Sequence, residues 1–332
     1  MPDWNDVLEK SITIVNKCDG WRHLIRTFEE NWYHISRSGM QEAFKRDFGI
    51  NTWEDMLAHA DDETAAKDDE VDAAQDAPAN ISVSRDIDLR VAYFADTHYP
   101  FHDDAALSLL CNLFGVFKPN EVVFGGDAHD FPTLSTFDQD PHRMTKLQEE
   151  LSVGLTWNER LNKAAGGAQW FFLPGNHDMR WVRYLHTHPQ ISNLDVLQLP
   201  NLLKLDKLGW EYVTERWYCG GELAMIHGER YSKNAGWAAK AELENRMFDQ
   251  HIVQGHNHKC GNFSSRGPLR VREAYEVGCL CTLHPEWKAH ANWNLGAMFV
   301  TIKRNVPHFE NVMFNKDNTG VWTVFRGEMC RG

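Results

Sequence analysis

The chain has 332 residues, of which 42% are hydrophobic, and a formal net charge of −13. This length allows one large domain or two smaller ones with a sizeable core, and the acidity argues against a protein that coats nucleic acid in bulk. The seven cysteines include no Cys-x-x-Cys pair, which favours reduced thiols and excludes a zinc ribbon; no signal peptide is expected, and no apolar run reaches the roughly 18 residues of a membrane span.

Residues 1–60 predict a small all-α domain, because apolar residues recur there near a 3.6-residue period. Residues 35–46 loosely resemble a helix-turn-helix segment, in which Arg37, Lys45 and Arg46 could reach phosphate. Residues 21–50 carry five basic and four acidic side chains, so the electrostatic signal for DNA binding is faint. A helical bundle that binds a protein partner is therefore the alternative to DNA binding.

Residues 61–86 predict an acidic flexible linker. The stretch 61–76 holds eight acids and one lysine, a net charge of −7. A segment with so much charge and so few large apolar side chains cannot bury enough surface to offset its ordering entropy. We therefore expect a solvated spacer in front of a catalytic domain that spans residues 87–332.

From residue 88 onward, short apolar segments alternate with amphipathic ones. We predict strands at residues 89–95, 121–124, 169–172, 223–226, 251–254 and 296–302. We predict helices at residues 104–117, from about residue 143, after residue 178 and at residues 235–248. The β-α-β alternation favours a layered α/β domain.

Five of the predicted strands end in side chains that can bind metal ions. These side chains are Asp96, His98, Asp127, Asn176, His177, His227, His256 and His258. One histidine at a strand end is usually structural, whereas five successive strands that end in Asp, Asn or His are hard to obtain by chance. Alternate residues of a strand point the same way. The side chains of Asp96 and His98 should therefore point in one direction, as should those of His256 and His258.

Carboxylate, imidazole and amide ligands suit borderline first-row ions, so we expect manganese first, with iron, zinc or nickel as alternatives. The set contains no thiolate, which argues against a closed structural zinc site. Even without His177, the seven remaining candidates are too many for one tetrahedral ion and suit two divalent ions roughly 3.5–4 Å apart. A carboxylate should lie between the two cations, and Asp127 is the best candidate.

Five motifs, in this order, resemble those of the calcineurin-like metallophosphoesterase superfamily. They are Asp-x-His at Asp96, Gly-Asp-x-x-Asp at Gly126, Gly-Asn-His-Asp at Gly175, His-Gly at His227 and Gly-His-x-His at Gly255. The resemblance implies a four-layer α/β/β/α sandwich of two mixed sheets.

The resemblance also implies a role for each site residue. It assigns one ion to Asp96, His98, Asp127 and His258, and the other to Asp127, Asn176, His227 and His256. A metal-bridging hydroxide would attack phosphorus, His177 would act as general acid, and Asp178 would orient His177. Such acid catalysis is worth roughly 10²–10⁴ in rate.

Some residues near the motifs differ from those of better-known branches of the superfamily, and these differences limit the choice of substrate. The arginine that clamps a phosphomonoester in the related protein phosphatases is missing after Asp130, which disfavours that activity. Several segments, including 278–286, are similar to a phage and prophage branch grouped with DNA-repair exonucleases. We therefore expect a cytoplasmic nuclease (in the host cytoplasm if phage-encoded), with Arg180 and Lys233 as substrate-binding candidates. Hydrolysis of small nucleotides and a non-catalytic scaffold are the alternatives.

Three residues near the motifs receive a structural interpretation. Cys279 and Cys281 are expected to be buried or near-site thiols, because the ligand set is complete without them. His129 lies inside the second motif, as in exonuclease-like members, and we interpret it as a surface residue or as one that supports the ligands.

Overall fold

A computed structural model describes Phe44 and residues 89–135, 146–214, 216–219, 222–246, 250–266, 271–285 and 291–332. The chain divides into two compact units, Met1–Val83 and Ser84–Gly332. Within the first unit, Phe44 is helical and its side chain is buried. The rest of the predicted N-terminal helices and the acidic linker lie outside the described residues, so both stay predictions.

The described part of the second unit contains strands from two sheets. They are β1 (Leu89–Phe94), β2 (Glu121–Phe124), β3 (Gln169–Phe172), β4 (Trp210–Tyr212), β5 (Arg216–Cys219), β6 (Leu223–Ile226), β7 (His251–Gln254), β8 (Gly261–Arg266), β9 (Val271–Glu276), β10 (Leu295–Lys303), β11 (Val306–Asp317), β12 (Gly320–Phe325) and β13 (Glu328–Arg331). The helices are α1 (Asp104–Phe117), α2 (Leu147–Ala164), α3 (Asp178–Thr187), α4 (Leu199–Leu202), α5 (Leu205–Leu208) and α6 (Trp237–Arg246). Short 3₁₀ turns lie at Pro132–Leu134 and Asp195–Leu197.

Both sheets are mixed, which confirms the predicted α/β class. The larger sheet has the order β13-β12-β11-β10-β1-β2-β3-β4, and the smaller has the order β5-β6-β7-β9-β8. Strands β1 to β4 run parallel, and β1 pairs antiparallel with β10. In the smaller sheet β6, β7 and β9 run parallel between antiparallel neighbours. The parallel strands therefore bring their carboxyl ends to one edge of each sheet, where open α/β sheets place their sites.

Strand β1 shows how the layers pack. Ala92 and Phe94 belong to the apolar cluster that includes the buried faces of α1 and α2. Val91 and Tyr93 belong to a second cluster, which also contains Met225 of the smaller sheet. Successive strand residues point to opposite faces, so β1 packs against helices on one side and against the other sheet on its opposite side.

The outer face of the smaller sheet is covered by α6. Ala224 and Ile252 of this sheet cluster with Ala239 and Leu243 of the helix. Helices thus lie outside both sheets, with apolar side chains packed between the sheets. Within the described residues, no helix has the combination of length and apolarity needed to cross a membrane.

Local sequence explains helix α1. The side chain of Asp103 accepts a hydrogen bond from the backbone N–H of Ala106 and so caps the first turn. Leu107, Leu110 and Phe114 recur at helical spacing and are buried. The helix ends at Phe117 and is followed by Lys118 in a left-handed conformation, and both bounds of the helix agree with the prediction.

Other predicted elements are confirmed with small changes in their bounds. The strands predicted at residues 121–124, 169–172, 223–226 and 251–254 have those bounds. The last predicted helix begins two residues later than expected and is described over Trp237–Arg246. Strands β4 and β5 are not predicted, because these short aromatic segments have no clear period.

Candidate metal centre

The residues that follow β1, β2 and β7 leave their strands through left-handed backbone conformations. Asp96, His98, Asp127, His256 and His258 all have positive φ angles, from 47° to 64°. Such angles are uncommon for residues other than glycine and persist where the surrounding structure enforces them. Explaining the paired side chains by strand alternation is therefore wrong, since irregular backbone after each strand aims them.

Glycines in two motifs let these loops approach one another. A Cβ atom on Gly175 would lie 2.2 Å from Oδ1 of Asp127, and one on Gly255 would lie 2.7 Å from Oδ2 of Asp96. Real Cβ atoms do not come this close, so neither position accepts a larger residue without a shift of the loops. The motif glycines therefore give the ligand loops their close packing.

Asp96, His98 and His258 form the first group of possible ligands, and all three are buried. Nε2 of His258 lies 3.4 Å from Oδ1 of Asp96 and 3.1 Å from Nε2 of His98. Oδ1 of Asp96 is buried and has no hydrogen-bond partner in the described part of the chain. We name these three residues the first ligand group.

Asp127, His227 and His256 form a second group, which we name the second ligand group. Nε2 of His227 lies 3.3 Å from Oδ2 of Asp127 and 3.3 Å from Nδ1 of His256. Oδ1 of Asn176 lies 3.1 Å from the same Nε2 atom, so the amide of the Gly-Asn-His-Asp motif adjoins this group.

Asp127 lies between the two groups. Its Oδ2 atom is 3.8 Å from Nε2 of His98 and 3.3 Å from Nε2 of His227. Burial opposes ionisation of Asp127, but the nearby charges of His227 and His177 outweigh burial and lower its pKa. A carboxylate that stays charged and faces both groups has the position expected of a shared ligand.

The donor chemistry of both groups fits divalent cations. Carboxylate oxygens and imidazole nitrogens converge within 4.8 Å of one another in each group. The unpartnered Oδ1 of Asp96 and the imidazole nitrogens that face each other are polar atoms that a cation would satisfy. The described residues therefore provide clusters that could hold divalent metal ions.

Hydrogen bonds orient the histidine rings. Nδ1 of His98 lies 3.0 Å from Oδ1 of Asp130, and Nδ1 of His227 lies 2.7 Å from the carbonyl oxygen of Gly125. A ring that donates from Nδ1 keeps the Nε2 lone pair for a metal. Sequence reasoning missed this role of Asp130, although Asp130 is the second acid of the Gly-Asp-x-x-Asp motif.

His177 lies at the margin of the centre, with a side chain that is 20% exposed. Its backbone N–H donates to Oδ1 of Asp127 at 2.7 Å, and its Nδ1 lies 3.0 Å from Oδ1 of Asp130. Burial disfavours the charged ring, but the charges of Asp127 and Asp130 raise the pKa of His177 above its ordinary value. The ring is therefore biased towards the protonated form.

Asp178 does not hold the ring of His177 as expected. Its buried carboxylate accepts hydrogen bonds from the backbone N–H groups of Gly175, His129 and Ala128, at 2.9, 3.2 and 3.3 Å. Asp178 therefore ties the two motif loops together, and Asp130 is the acid beside His177. The two roles differ because the carboxylate of Asp178 points at backbone amides.

The two substrate-binding candidates occupy different places. Nη1 of Arg180 donates to the carbonyl oxygen of Asp130 at 2.7 Å, and Nη2 lies 3.3 Å from Nε2 of His177. Lys233 is exposed, and its carbonyl oxygen accepts a hydrogen bond from Nζ of Lys259 at 3.1 Å. Arg180 thus lies beside His177, whereas Lys233 lies on the loop that follows His227.

The three residues interpreted as structural are all buried. His129 is 2% exposed and stacks on Phe131 with ring centroids 5.3 Å apart, so its interpretation as a surface residue is wrong. Cys279 and Cys281 are buried, as expected, and they lie near His258.

Residues 89–268, more than half of the 332-residue chain, match the family model for calcineurin-like phosphoesterases. The Gene 54 protein of Mycobacterium phage L5 is 27% identical over 237 residues, which cover 64% of this chain and 89% of that protein. The Gene 54 protein of Mycobacterium phage D29 is 26% identical over 241 residues, which cover 65% and 90% respectively.

Two solved structures of vacuolar protein sorting 29 are also similar. A single mutant of Vps29 from Entamoeba histolytica is 14% identical, covers 74% of this chain and 98% of that chain, and has a TM-score of 0.35. The protein from Cryptosporidium parvum is 14% identical, covers 74% and 97%, and has a TM-score of 0.38. These TM-scores are too low for the likeness to carry an argument.

The matched range contains the five motifs, and their side chains form clusters that could hold the divalent ions that the family implies. The chain therefore belongs to the calcineurin-like phosphoesterase family and is a metal-dependent phosphoester hydrolase.

Proposed function

We propose that the protein uses two divalent ions, manganese being the expected metal, to hydrolyse phosphodiesters of nucleic acid. The proposal rests on the position of Asp127, whose Oδ2 atom lies 3.8 Å from Nε2 of His98 and 3.3 Å from Nε2 of His227. Asp96, His98, Asp127 and His258 would hold one ion, and Asp127, Asn176, His227 and His256 the other. The bound ions would supply Lewis-acid activation of the phosphate and of water.

His177 is the proposed general acid. Asp130 accepts from Nδ1, so Nε2 would carry the proton that passes to the departing oxygen. A guanidinium can only donate hydrogen bonds, so Arg180, whose Nη2 lies 3.3 Å away, and a protonated Nε2 compete for this space. A phosphate that draws Arg180 towards itself would leave Nε2 free to hold the proton.

Nucleic acid is favoured as substrate by the loop that follows His227. The ring of Tyr231 is 58% exposed, and Nζ of Lys259 lies 4.9 Å from the ring centroid. The loop is held near the histidine ligands, because the backbone N–H of Ser232 donates to Oδ1 of Asn257 at 3.3 Å. An exposed aromatic ring beside a cation, on a loop that contacts the residue between His256 and His258, suits base stacking, which contributes about 1–3 kcal/mol per base.

An activity panel tests the proposal. Full-length protein with Mn²⁺ would be assayed on single- and double-stranded DNA, RNA, nucleotides, cyclic nucleotides and bis-p-nitrophenyl phosphate. We expect cleavage of a nucleic-acid strand, and a Tyr231→Ala variant that weakens strand binding while leaving bis-p-nitrophenyl phosphate hydrolysis unchanged.

Tyr231→Phe is the matched control, because it retains the ring and should bind the strand as the wild type does. Hydrolysis confined to mononucleotides or cyclic nucleotides would contradict the nucleic-acid substrate. Full activity of His177→Ala on every substrate would contradict the proposed general acid.

A further inference from the structure

A group of sulfur ligands lies beside the metal centre. One ring nitrogen of His258 and the Sγ atoms of Cys279 and Cys281 lie within 4.8 Å of one another. The three residues are 7%, 0% and 4% exposed. We name them the sulfur group. The two cysteines are not needed by the first or the second ligand group, and the proposed hydrolysis does not use them.

The imidazole of His258 has a nitrogen to spare for the sulfur group. Its Nε2 atom lies 3.4 Å from Oδ1 of Asp96 and faces the first ligand group. Its Nδ1 atom is buried and has no hydrogen-bond partner among the residues that the structure describes. A buried polar atom without a partner is unfavourable, so a metal ion or a hydrogen-bond partner at Nδ1 would stabilise the protein.

The sulfur atoms are weakly engaged. Sγ of Cys279 donates to the carbonyl oxygen of Asn294 at 3.5 Å, which is a weak hydrogen bond. Cys260, another nearby cysteine, directs its Sγ atom to the carbonyl oxygen of Leu295 at 3.9 Å and does not belong to the group. A cation that binds Cys279 would therefore replace only a weak interaction.

We propose that Cys279, Cys281 and Nδ1 of His258 form a separate site for one thiophilic divalent cation such as Zn²⁺ or Cd²⁺. Two thiolates and an imidazole are a softer donor set than the carboxylates and imidazoles of the two ligand groups. Three protein ligands leave the fourth tetrahedral position open to water. Each thiol that binds the cation gives its proton to the solvent, and the ring of His258 would also lose its remaining N–H proton to the solvent when both of its nitrogens bind metal. His258 joins this site to the first ligand group through one ring.

Cadmium titration of the full-length, Mn²⁺-saturated protein tests the proposal. We expect one Cd²⁺ per chain to produce an ultraviolet cadmium–thiolate charge-transfer band. Cys279→Ser and Cys281→Ser should each remove most of this band. Cys111→Ser is the matched control and should retain the band, because Cys111 is a half-buried cysteine of α1 outside every group of possible ligands in the described residues.

A measurement on the wild-type chain protects the test against variants that fail to fold. X-ray absorption at the cadmium edge should show sulfur among the atoms bound to Cd²⁺. Coordination by oxygen and nitrogen alone would overturn the proposal, as would a charge-transfer band that persists in both serine variants. Neither measurement requires hydrolysis, so the outcome is independent of the proposed nuclease activity.

Discussion

The two ligand groups differ in how they are supported and how far they open to solvent. In the first group all three residues are buried, and the carboxylate of Asp130 contacts Nδ1 of His98 at 3.0 Å. In the second group His256 is half-buried, the adjacent Asn176 is exposed, and Nδ1 of His227 meets a backbone carbonyl.

This difference indicates a division of labour within the centre. A carboxylate partner raises the basicity of an imidazole ligand more than a neutral carbonyl does, which strengthens metal binding. We therefore expect the first group to retain its ion more firmly. The half-buried His256 and the adjacent, exposed Asn176 place the second position where substrate and exchanging ions reach it.

Asp127→Asn should have the largest effect, because it removes the charge that both groups share. Lewis-acid catalysis is worth several kcal/mol, so we expect activity to fall by roughly 10³-fold or more. Metal analysis of the variant should find fewer ions per chain than in the wild type. Retention of two ions together with near-normal turnover would show that Asp127 is not shared.

His177→Ala should lower the rate by about 10²–10⁴ while both ions stay bound. The loss should be larger on a nucleic-acid strand than on bis-p-nitrophenyl phosphate, because p-nitrophenolate leaves without protonation. Parallel kinetics on the two substrates measure the difference. An equal loss on both would assign His177 to phosphate positioning.

Asp130→Asn should weaken the first group selectively. Loss of such a supporting carboxylate typically costs about 10–100-fold in metal affinity or activity. A metal titration of the variant, measured by calorimetry, should show one weakened site. Asp104→Asn is the matched control, since its side chain is 82% exposed and contacts His102 at the surface. Equal weakening of both sites would remove the distinction between the groups.

Glu150→Gln should have the smallest effect, on stability alone. Burial raises the pKa of Glu150 from 4.5 to about 8, and its Oε1 accepts from the backbone N–H of Phe131. A raised pKa in the folded state stabilises the fold below the unfolded pKa, and this contribution is lost as pH rises towards 8.

Glutamine retains the acceptor without titrating, so the variant should lose less stability than the wild type between pH 4.5 and about 8. Thermal unfolding across that range checks this. Parallel curves for the two proteins would contradict the buried, protonated form of Glu150.

Much of this architecture follows from local sequence signals. Apolar period and length predict α1 and the parallel strands, and motif order predicts which residues surround the centre. The left-handed backbone at His256 and His258 could not be predicted, because the modest enrichment of histidine in this conformation does not identify individual residues.

The exchange of roles between Asp130 and Asp178 also lay beyond the sequence. Both are acids within a metal-binding motif, and the contacts that separate their roles join distant parts of the chain: Asp178 bonds to Ala128, 50 residues away, and Asp130 contacts His177, 47 residues away. Such tertiary hydrogen bonds depend on loop packing, which no local pattern encodes.

The positive φ angles of the five candidate ligands set the stability of the fold against its activity. Each such conformation costs of order 1–3 kcal/mol for a residue with a side chain, and glycine relieves that cost. At His256, for example, a change to glycine would relax the backbone and delete a ligand in one step. Selection for heat resistance alone should therefore enrich inactive variants at these positions. A screen for more stable forms of this enzyme must for that reason also measure activity.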